Sequence, residues 1–302
     1  MTAGAALRIT VAINPNASFG RNRDVGPRVV ESLIRAGHDV GMLREANVEL
    51  LRREAEHAVA AGTDALVVVG GDGMVSLGAN LVAGTGIPLG IIAAGTGNDM
   101  ARGLGLPIDD AEASTRQVLE ALGRRPRAID AARIQHGDLS TWYAGVLSAG
   151  FDAVVNERAN TMTRPRGSSR YILALMRELV TLKPVPYRLV IDGVARELEG
   201  MLVSVANNVS LGGGMKVAPD ALLDDGLLDV FIVKKLSRIE FLRVFPKVFS
   251  GTHTTHPAVE IVRARSVRLE SGVPIVAYAD GERVGPLPVD VQIVPGALHV
   301  LA

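Results

Sequence analysis

The chain contains no cysteine, which excludes disulfide bonds, thiolate zinc sites and thiol nucleophiles, and which fits a reducing compartment. The 32 basic and 32 acidic residues cancel, so no overall charge favours nucleic acid or an anionic membrane. No apolar run approaches the ~20 residues that cross a bilayer, and the first residues lack the pattern of a signal peptide. We therefore expect a cytoplasmic protein that has no transmembrane segment and no nucleic-acid partner. Any contact of this protein with a membrane is expected to be peripheral.

The 302 residues, 48% of them hydrophobic, can form two compact domains. Over the first ~130 residues, short β-branched runs alternate with longer helix-compatible stretches, which predicts a three-layer α/β domain at 1–128 with a parallel sheet between helices. The predicted strands are 9–13, 38–43, 65–69 and 87–93, and the predicted helices are 25–35, 48–61 and 75–82.

Many short strands follow, which predicts a β-sandwich domain at 129–302. The segment Arg124-Arg125-Pro126-Arg127 marks the expected hinge, and a cleft between the two domains is the expected substrate site. We expect the last ~12 residues to return to the first domain. The predicted strands are 129–135, 142–149, 187–191, 195–199, 202–206, 228–233, 259–261, 267–269, 276–279, 289–293 and 298–301, with helices at 169–182 and 239–248.

Three of the predicted parallel strands are followed by small polar loops. The loops are Asn14-Pro15-Asn16-Ala17-Ser18, Gly70-Gly71-Asp72-Gly73 and Gly95-Thr96-Gly97-Asn98-Asp99. Ligands of open parallel sheets bind outside the carboxyl ends of the strands, so these loops are expected to converge. Glycines allow the backbone to approach an anion, and N–H groups at a helix start bind phosphate oxygens. The three loops together predict a phosphate site, although any single one is also compatible with an ordinary tight turn.

Asp72 and Asp99 lie inside these phosphate loops, where an anionic ligand alone would be repelled. Their presence indicates either a divalent cation between acid and phosphate or a group that accepts a proton from a hydroxyl. A GxxxxGK[ST] segment is missing, which excludes a P-loop. The segment that starts at Gly71 is close to a dinucleotide fingerprint, but Ser76 replaces its last glycine and Asp72 occupies the pyrophosphate turn.

Taken together, these motifs resemble the catalytic family of diacylglycerol kinases, in the bacterial soluble branch that also includes relatives of sphingosine kinases. The resemblance covers nearly the whole chain. Besides the three loops, it depends on Asp130, Gly212-Gly213-Gly214-Met215-Lys216-Val217-Ala218-Pro219, Leu223-Asp224-Asp225-Gly226-Leu227-Leu228-Asp229, Asp280-Gly281-Glu282 and Val294-Pro295-Gly296-Ala297-Leu298.

The resemblance implies a nucleotide-binding first domain like that of NAD kinases, a C-terminal β-sandwich, and transfer of the ATP γ-phosphate to the hydroxyl of diacylglycerol or a related lipid at the membrane surface. It implies Glu282 as general base, with Asp72, Asp99 and Asp130 in the catalytic network. It implies Mg²⁺ at the Asp225 carboxylate and the backbone carbonyls of Leu222 and Leu227. The implied ATP contacts are Asn14, Pro15, Asn16, Ala17, Ser18, Gly70, Gly71, Asp72, Gly73, Met74, Val75, Ser76, Thr96, Gly97 and Asn98.

Several alternatives stay open at this point. Without the resemblance, Asp280-Gly281 is an ordinary hairpin turn, and the segment before Leu228 is equally a polar turn or a cation site. Met74 stands where the family usually has threonine, which allows weaker nucleotide binding, or a non-catalytic regulator that binds nucleotide or lipid. A kinase for another hydroxyl substrate, as in NAD kinases, and a homodimer are further alternatives. His253 and His256 have a metal-like spacing, but no third ligand is evident.

Overall fold

The computed structural model describes residues 5–14, 24–45, 47–108, 110–150, 155 and 183–302. The predicted ATP contacts at Pro15, Asn16, Ala17 and Ser18, and the predicted helix at 169–182, lie outside the described residues. Contacts between Cα atoms divide the chain into unit 1, Met1–Ala131 with Pro295–Ala302, and unit 2, Ala132–Val294. The domain bounds drawn from the sequence stay predictions, since this division reports contacts rather than independent folding.

Unit 1 contains a parallel sheet in the order β4-β3-β1-β2. All six residues of β3 are buried, as expected for a central strand covered on both faces. The strands are β1 (Arg8–Ile13), β2 (Asp39–Leu43), β3 (Ala65–Gly70) and β4 (Leu89–Ala93). The helices are α1 (Val25–Arg35), α2 (Val48–Ala60), α3 (Asp72–Val82), α4 (Asp99–Gly103) and α5 (Ala111–Leu122).

Side chains along β3 point alternately to the two faces of the sheet, and different helices of unit 1 cover each face. Val67 and Val69 point to the face where they pack with side chains of α1 and α5, such as Leu33 and Val118. Val68 points to the other face, where a Cβ at Gly78 of α3 would lie 3.0 Å from its Cγ1. The unit therefore has helices on both faces of the sheet, and the loops after β1, β3 and β4 share one edge.

Unit 2 is built mainly of antiparallel strands. The strands are β5 (Arg127–His136), which begins in unit 1, β6 (Leu139–Tyr143), β7 (Val146–Gly150), β8 (Val185–Ile191), β9 (Val194–Ala206), β10 (Leu228–Lys234), β11 (Val259–Ala264), β12 (Ser266–Ser271), β13 (Val276–Ala279), β14 (Glu282–Pro286) and β15 (Val289–Val300). Helix α6 (Arg238–Val244) and 3₁₀ helices at Phe245–Val248 and Thr252–Thr255 complete the unit. Strand β15 ends in unit 1, where Val300 pairs in parallel with Leu89 of β4.

Strands β9 and β10 separate two apolar clusters of unit 2. Val203 and Val205 of β9 point into a core shared with strands such as β12 and β15. Leu202 of β9 and Phe231 of β10 point to the opposite face, where they pack with Phe241 of α6. The period-two alternation of a strand thus builds a core between strands on one side and a separate apolar cluster under α6 on the other.

Several elements differ from the prediction. The single strand predicted at 142–149 is two strands, β6 and β7, because Ala144 and Gly145 leave the ladder to bond a carboxylate. Strand pairs predicted at 195–206 and 289–301 are each one continuous strand, β9 and β15. Helices α4 and α5 and strand β14 were not predicted. The helix predicted at 239–248 changes to a 3₁₀ helix at Phe245, next to Pro246, whose ring nitrogen cannot donate.

Among the residues that the structure describes, no helix is both long enough and apolar enough to cross a bilayer.

Candidate functional site

The loops after β1, β3 and β4 begin side by side at the carboxyl edge of the parallel sheet. The N–H of Asn14 donates to the carbonyl of Val69 at 3.1 Å, and the N–H of Ala94 donates to the carbonyl of Gly70 at 2.8 Å. Beyond these bonds the backbones of Gly71 and Gly95 lie so close together that a Cβ added at Gly95 would overlap the Cα of Gly71. The structure therefore brings together the described parts of the three predicted loops, and it leaves no room for a side chain where two of them meet.

The N-terminus of α3 differs from those of α2, α5 and α6, which are capped by the side chains of Asn47, Asp110 and Ser237. The N-cap of α3 is Gly71, which has no side chain to accept a hydrogen bond. N–H groups of a first helical turn have no acceptor inside the helix, and the helix dipole adds a partial positive charge there. This end of α3 is therefore a suitable place for a phosphate oxygen.

Asn98 folds the loop after β4 back on itself. Its backbone is left-handed, with φ of 55°, which asparagine tolerates better than most residues. Its amide oxygen accepts from the N–H of Gly95 at 3.0 Å, and its amide nitrogen donates to the carbonyl of Gly95 at 3.1 Å. Asn98 is itself buried, so its described contacts position the loop. Thr96, at the tip of the same loop, is exposed.

Asp72 caps α4 from a distance of 27 residues along the chain. Its Oδ1 accepts from the N–H of Asp99 at 2.7 Å and from the N–H of Met100 at 3.4 Å. Burial, and then the negative charge of Asp99, raise the pKa of the Asp72 carboxyl above its ordinary value. A Cβ at Gly97 would overlap the other oxygen of Asp72, so this glycine is required by close packing as well.

Arg102 compensates the second acid of the site. Its Nη1 donates to Oδ1 of Asp99 at 2.8 Å, and its Nη2 donates to the carbonyl of Gly97 at 3.1 Å. Sequence reasoning missed this arginine, although the three-residue spacing from Asp99 at the start of a short helix is a recognisable signal for such a pair. Arg102 thus brings a positive side chain to the described part of these loops.

The predicted contacts at Met74, Val75 and Ser76 have buried side chains. The N–H groups of Met74 and Val75 donate to the carbonyl of Gly71, at 2.9 and 3.3 Å. The side chain of Met74 packs on Gly70, where a Cβ would lie 2.5 Å from its Cγ. Any phosphate at this turn would therefore meet the N–H groups of Gly71, Asp72 and Gly73 before it met these three residues.

Asp130 lies on β5 in unit 1 and is buried. Its Oδ1 accepts from the N–H of Gly296 at 2.8 Å, which ties β5 to the part of β15 that belongs to unit 1. Gly296 has a φ of 64°, a conformation that glycine adopts without strain. The contact shown for Asp130 is thus one that holds the returning strand, while its predicted place in the catalytic network stays a prediction.

Glu282 is the exposed first residue of β14 in unit 2. The two-residue turn before it, Asp280-Gly281, has φ of 49° and 84°, as the tight turns of β-hairpins require. The Asp280 carboxylate accepts from the N–H groups of Ala144, Gly145 and Val146 at 2.9 to 3.2 Å. The sequence indicated only a turn here, whereas the structure shows that Asp280 anchors the turn which presents Glu282.

The predicted magnesium ligands lie in the turn before β10. Oδ1 of Asp225 accepts from the N–H of Leu227 at 3.0 Å, and the guanidinium of Arg263 contacts Oδ2. A carboxylate beside backbone carbonyls offers the hard oxygen ligands that Mg²⁺ prefers, and Arg263 already brings positive charge to it. In the described part of the chain, no three side chains of His, Asp or Glu gather as a metal site. A cation at Asp225 would therefore depend on the carbonyls of Leu222 and Leu227.

A small apolar cavity of about 70 Å³ lies in unit 2 under α6. Among the described residues that line it, two are polar, Ser204 and His253. His253 is buried, stacks edge-on against Phe231 with ring centroids 5.3 Å apart, and has its pKa lowered by burial. Its place in this cavity accounts for a histidine that the sequence left without a role. The remaining lining residues include Leu202, Met215, Phe231, Val233, Phe241 and Val259.

Gly95→Ala is expected to lower the free energy of unfolding by about 1–3 kcal/mol, because the new methyl group would separate two packed backbones. Gly41→Ala in β2 is the matched control, since a Cβ there meets nothing within 4 Å. Urea unfolding followed by circular dichroism measures both. Equal stability of the two variants would contradict the close approach of Gly71 and Gly95.

Asp72→Asn is expected to stabilise the protein at neutral pH. Because folding raises the pKa of Asp72, protonation of its carboxyl stabilises the folded protein. This stabilisation is complete below the ordinary pKa of 3.8 and is lost as the pH rises through the raised pKa. Asparagine keeps the oxygen that accepts from Asp99 and removes the buried charge. Urea unfolding across pH tests this, with exposed Asp39→Asn as control. A stability gain that does not shrink toward acidic pH would show the explanation to be wrong.

The chain matches two family models. Residues 8–134 match the diacylglycerol kinase catalytic domain, and residues 145–302 match the YegS C-terminal NAD kinase beta sandwich-like domain. A diacylglycerol kinase of Mycobacterium tuberculosis is 39% identical over 297 residues, which covers 97% of this chain and 94% of the relative. A protein named probable lipid kinase YegS-like, from Stenotrophomonas maltophilia, is 30% identical over 258 residues, 82% of each chain.

A crystal structure of a diacylglycerol kinase from Bacillus anthracis superposes with a TM-score of 0.74 and 23% identity, and covers 99% of this chain and 97% of the other. At that identity the likeness shows the fold. It agrees with the family models in confirming the predicted α/β domain followed by a C-terminal β-sandwich. The roles of individual site residues stay predictions. On the strength of the two models and the 39% identical relative, the chain belongs to the diacylglycerol kinase family of ATP-dependent lipid kinases.

Proposed function

We propose that this chain transfers the γ-phosphate of ATP to the hydroxyl of diacylglycerol or a closely related lipid, with Mg²⁺. Membership in the family supports ATP as the donor. The name of the 39% identical relative supports diacylglycerol as the acceptor. The contacts within each unit suggest which side chains serve the nucleotide, the metal, the proton and the acyl chain.

The uncapped N-terminus of α3 and the loop after β4 suit the phosphates of ATP. The N–H groups of Gly71, Asp72 and Gly73 would donate to phosphate oxygens, assisted by the dipole of α3. Phosphoryl transfer needs positioning and charge stabilisation more than covalent chemistry, so backbone donors held by packed glycines are well suited to it. Arg102 holds Asp99 and Gly97 in place beside them.

One observation favours a lipid acceptor over a nucleotide or a sugar: the apolar cavity of unit 2. With a volume of about 70 Å³ it is too small for a whole nucleotide or sugar, and it would take only part of an acyl chain. A nucleotide or sugar in such a lining would lose its hydrogen bonds to water and find few replacements at Ser204 and His253. An acyl chain has no such hydrogen bonds to lose, and its burial here is favourable.

The turn before β10 suits the proposed magnesium. Besides Asp225, this turn has Asp220 and Asp224, and Asp229 follows as the second residue of β10. Burial, as the larger cause, and the negative charge of Asp220, as the smaller one, raise the pKa of Asp229 to about 6. Mg²⁺ bound here would organise the acidic segment and help to neutralise phosphate charge.

Glu282 is the proposed general base, which takes the proton of the acceptor hydroxyl onto its carboxylate. Such a group must be held within hydrogen-bond reach of the hydroxyl in the bound substrate. The tight turn and the anchoring of Asp280 on residues 144–146 limit the backbone freedom of Glu282, while its exposure leaves the carboxylate accessible. Asp280 is accordingly a positioning residue in this proposal.

Glu282→Gln is expected to lower kcat about 10²-fold or more with little change in ATP binding, because the amide keeps the shape and loses the base. Exposed Glu197→Gln of β9 is the matched control and should keep full activity. A radiolabelled-ATP assay over diacylglycerol, monoacylglycerol, sphingosine, NAD and a sugar phosphate measures both variants. Undiminished lipid phosphorylation by Glu282→Gln would exclude Glu282 as base.

The same assay separates the remaining alternatives. Phosphorylation of NAD or a sugar phosphate in preference to every lipid would overturn the lipid acceptor. Binding of ATP without phosphorylation of any acceptor would indicate the non-catalytic regulator that Met74 first suggested.

Val233→Phe is expected to raise KM for long-chain diacylglycerol about tenfold or more and to change KM for a short-chain one much less, because the larger ring fills the cavity. Val194→Phe, at an exposed position of the β8–β9 hairpin, is the control. Steady-state kinetics with both substrates measures the difference. An equal effect on short and long chains would argue against acyl binding in this cavity.

A further inference from the structure

The segment of α6 and the 3₁₀ helix after it has apolar side chains on two opposite faces. On the inner face, Phe241, Val244 and Val248 line the apolar cavity. On the outer face, Ile239 is 63% exposed, Leu242 is 45% exposed, and Phe249, just after the 3₁₀ helix, is 52% exposed. Ile239 and Leu242 are three residues apart on α6 and so lie on neighbouring turns of the helix. Phe249 follows the 3₁₀ helix, where it packs edge-on against Phe245 with ring centroids 6.2 Å apart and keeps about half of its surface exposed. A surface helix normally has polar residues opposite its buried face.

Basic residues accompany this outer face. Arg238, Arg243 and Lys247 are exposed, and in the described parts of the chain none of them forms an ion pair. Glu240 is the one acid of the segment from Leu236 to Ser250. Its carboxylate is engaged in the N-terminal cap of α6, where it accepts from the N–H and the hydroxyl of Ser237. The outer face therefore combines exposed apolar side chains with a surplus of positive charge.

We propose that this outer face of α6, defined by Arg238, Ile239, Leu242, Arg243, Lys247 and Phe249, docks on an anionic lipid surface. Helices that lie in the membrane interface have this composition, with basic side chains beside large apolar ones. Basic residues near such a surface gain attraction to anionic headgroups, and the apolar ones gain by entering the acyl boundary.

A lipid surface fits this face better than a second copy of the chain does. A two-fold contact through the same face would bring Arg238 and Lys247 toward their own copies, and like charges brought together oppose association. Anionic headgroups complement them instead. The apolar part of this face is also short and flanked by charge, as befits partial insertion in a headgroup layer.

Docking here would also explain why the cavity lies under α6. This explanation rests on the proposed function, in which the acceptor is a membrane lipid whose chain enters the cavity. With the outer face of α6 at the lipid surface, the inner face would line the cavity one helix diameter away. A substrate chain could then move from bilayer to cavity with little exposure to water.

Co-sedimentation with vesicles tests the proposal, with phosphatidylcholine alone compared with phosphatidylcholine that contains phosphatidylglycerol. The double variant Ile239→Ser with Leu242→Ser is expected to lower the partition coefficient on anionic vesicles about tenfold or more. Arg238→Gln with Lys247→Gln is expected to lower it about fivefold for each charge removed, with the remaining binding less sensitive to salt. Val194→Ser and Arg265→Gln, at exposed positions of the hairpins of unit 2, are the matched controls.

Retention of vesicle binding by both double variants would overturn the proposal, as would an equal loss in the controls. A change in sedimentation velocity in the outer-face variants, without a change in vesicle binding, would assign the face to a second copy and also overturn it. If the serine variant fails to fold, vesicle binding by the glutamine variant and its dependence on salt still test the proposal.

Activity on a short-chain diacylglycerol dissolved as monomers separates this proposal from the proposed function. All four variants are expected to keep that activity, since none of the changed side chains lines the cavity or belongs to the proposed site. Loss of vesicle binding in the outer-face variants supports the docking face even if no acceptor is phosphorylated. Phosphorylation of the dissolved lipid together with unchanged vesicle binding supports the kinase and overturns the docking face.

Discussion

Backbone N–H groups that leave a helix or a strand ladder need another acceptor, and in this protein carboxylates supply it at the points that shape the site. Asp72 accepts from the N–H groups at the start of α4, and Asp280 accepts from those between β6 and β7. Asp130 accepts from Gly296 where β15 enters unit 1. All three acids lie in segments that the family resemblance marks as functional. Their first physical task is to hold the loops, and any catalytic task is added to that one.

The start of α3 has no capping side chain at its N-cap, and this has an electrostatic consequence. Gly71 supplies no capping side chain, so the donors there are available to a ligand. Asp72 and Asp99 lie in the same loops, and Arg102 forms an ion pair with Asp99. An incoming triphosphate would add more negative charge to the same loops. The donors favour it and the acids oppose it, which is a physical reason for a divalent cation to take part in the proposed reaction.

How much of this arrangement could be predicted depends on the sequence distance over which each contact acts. Strand β3, its buried run and the glycine loop after it follow from local pattern, and so does the convergence of loops at one sheet edge. The capping of α4 by Asp72 joins residues 27 apart in the chain. The contact of Arg263 with Asp225 joins strand β11 to the turn before β10. No local pattern contains such pairs. The cavity under α6 was beyond prediction as well, because apolar lining residues look like any other core.

Met74 shows how the structure changes the meaning of a departure from the family pattern. From the sequence, methionine in place of threonine removes a hydroxyl next to the expected phosphates. In the structure its side chain is buried against Gly70, and its N–H already donates to the carbonyl of Gly71. The residue thus acts as packing beneath the turn, and its unbranched, flexible side chain suits that irregular space. The proposed nucleotide binding at this turn would then depend on the backbone of Gly71, Asp72 and Gly73, which the substitution leaves in place.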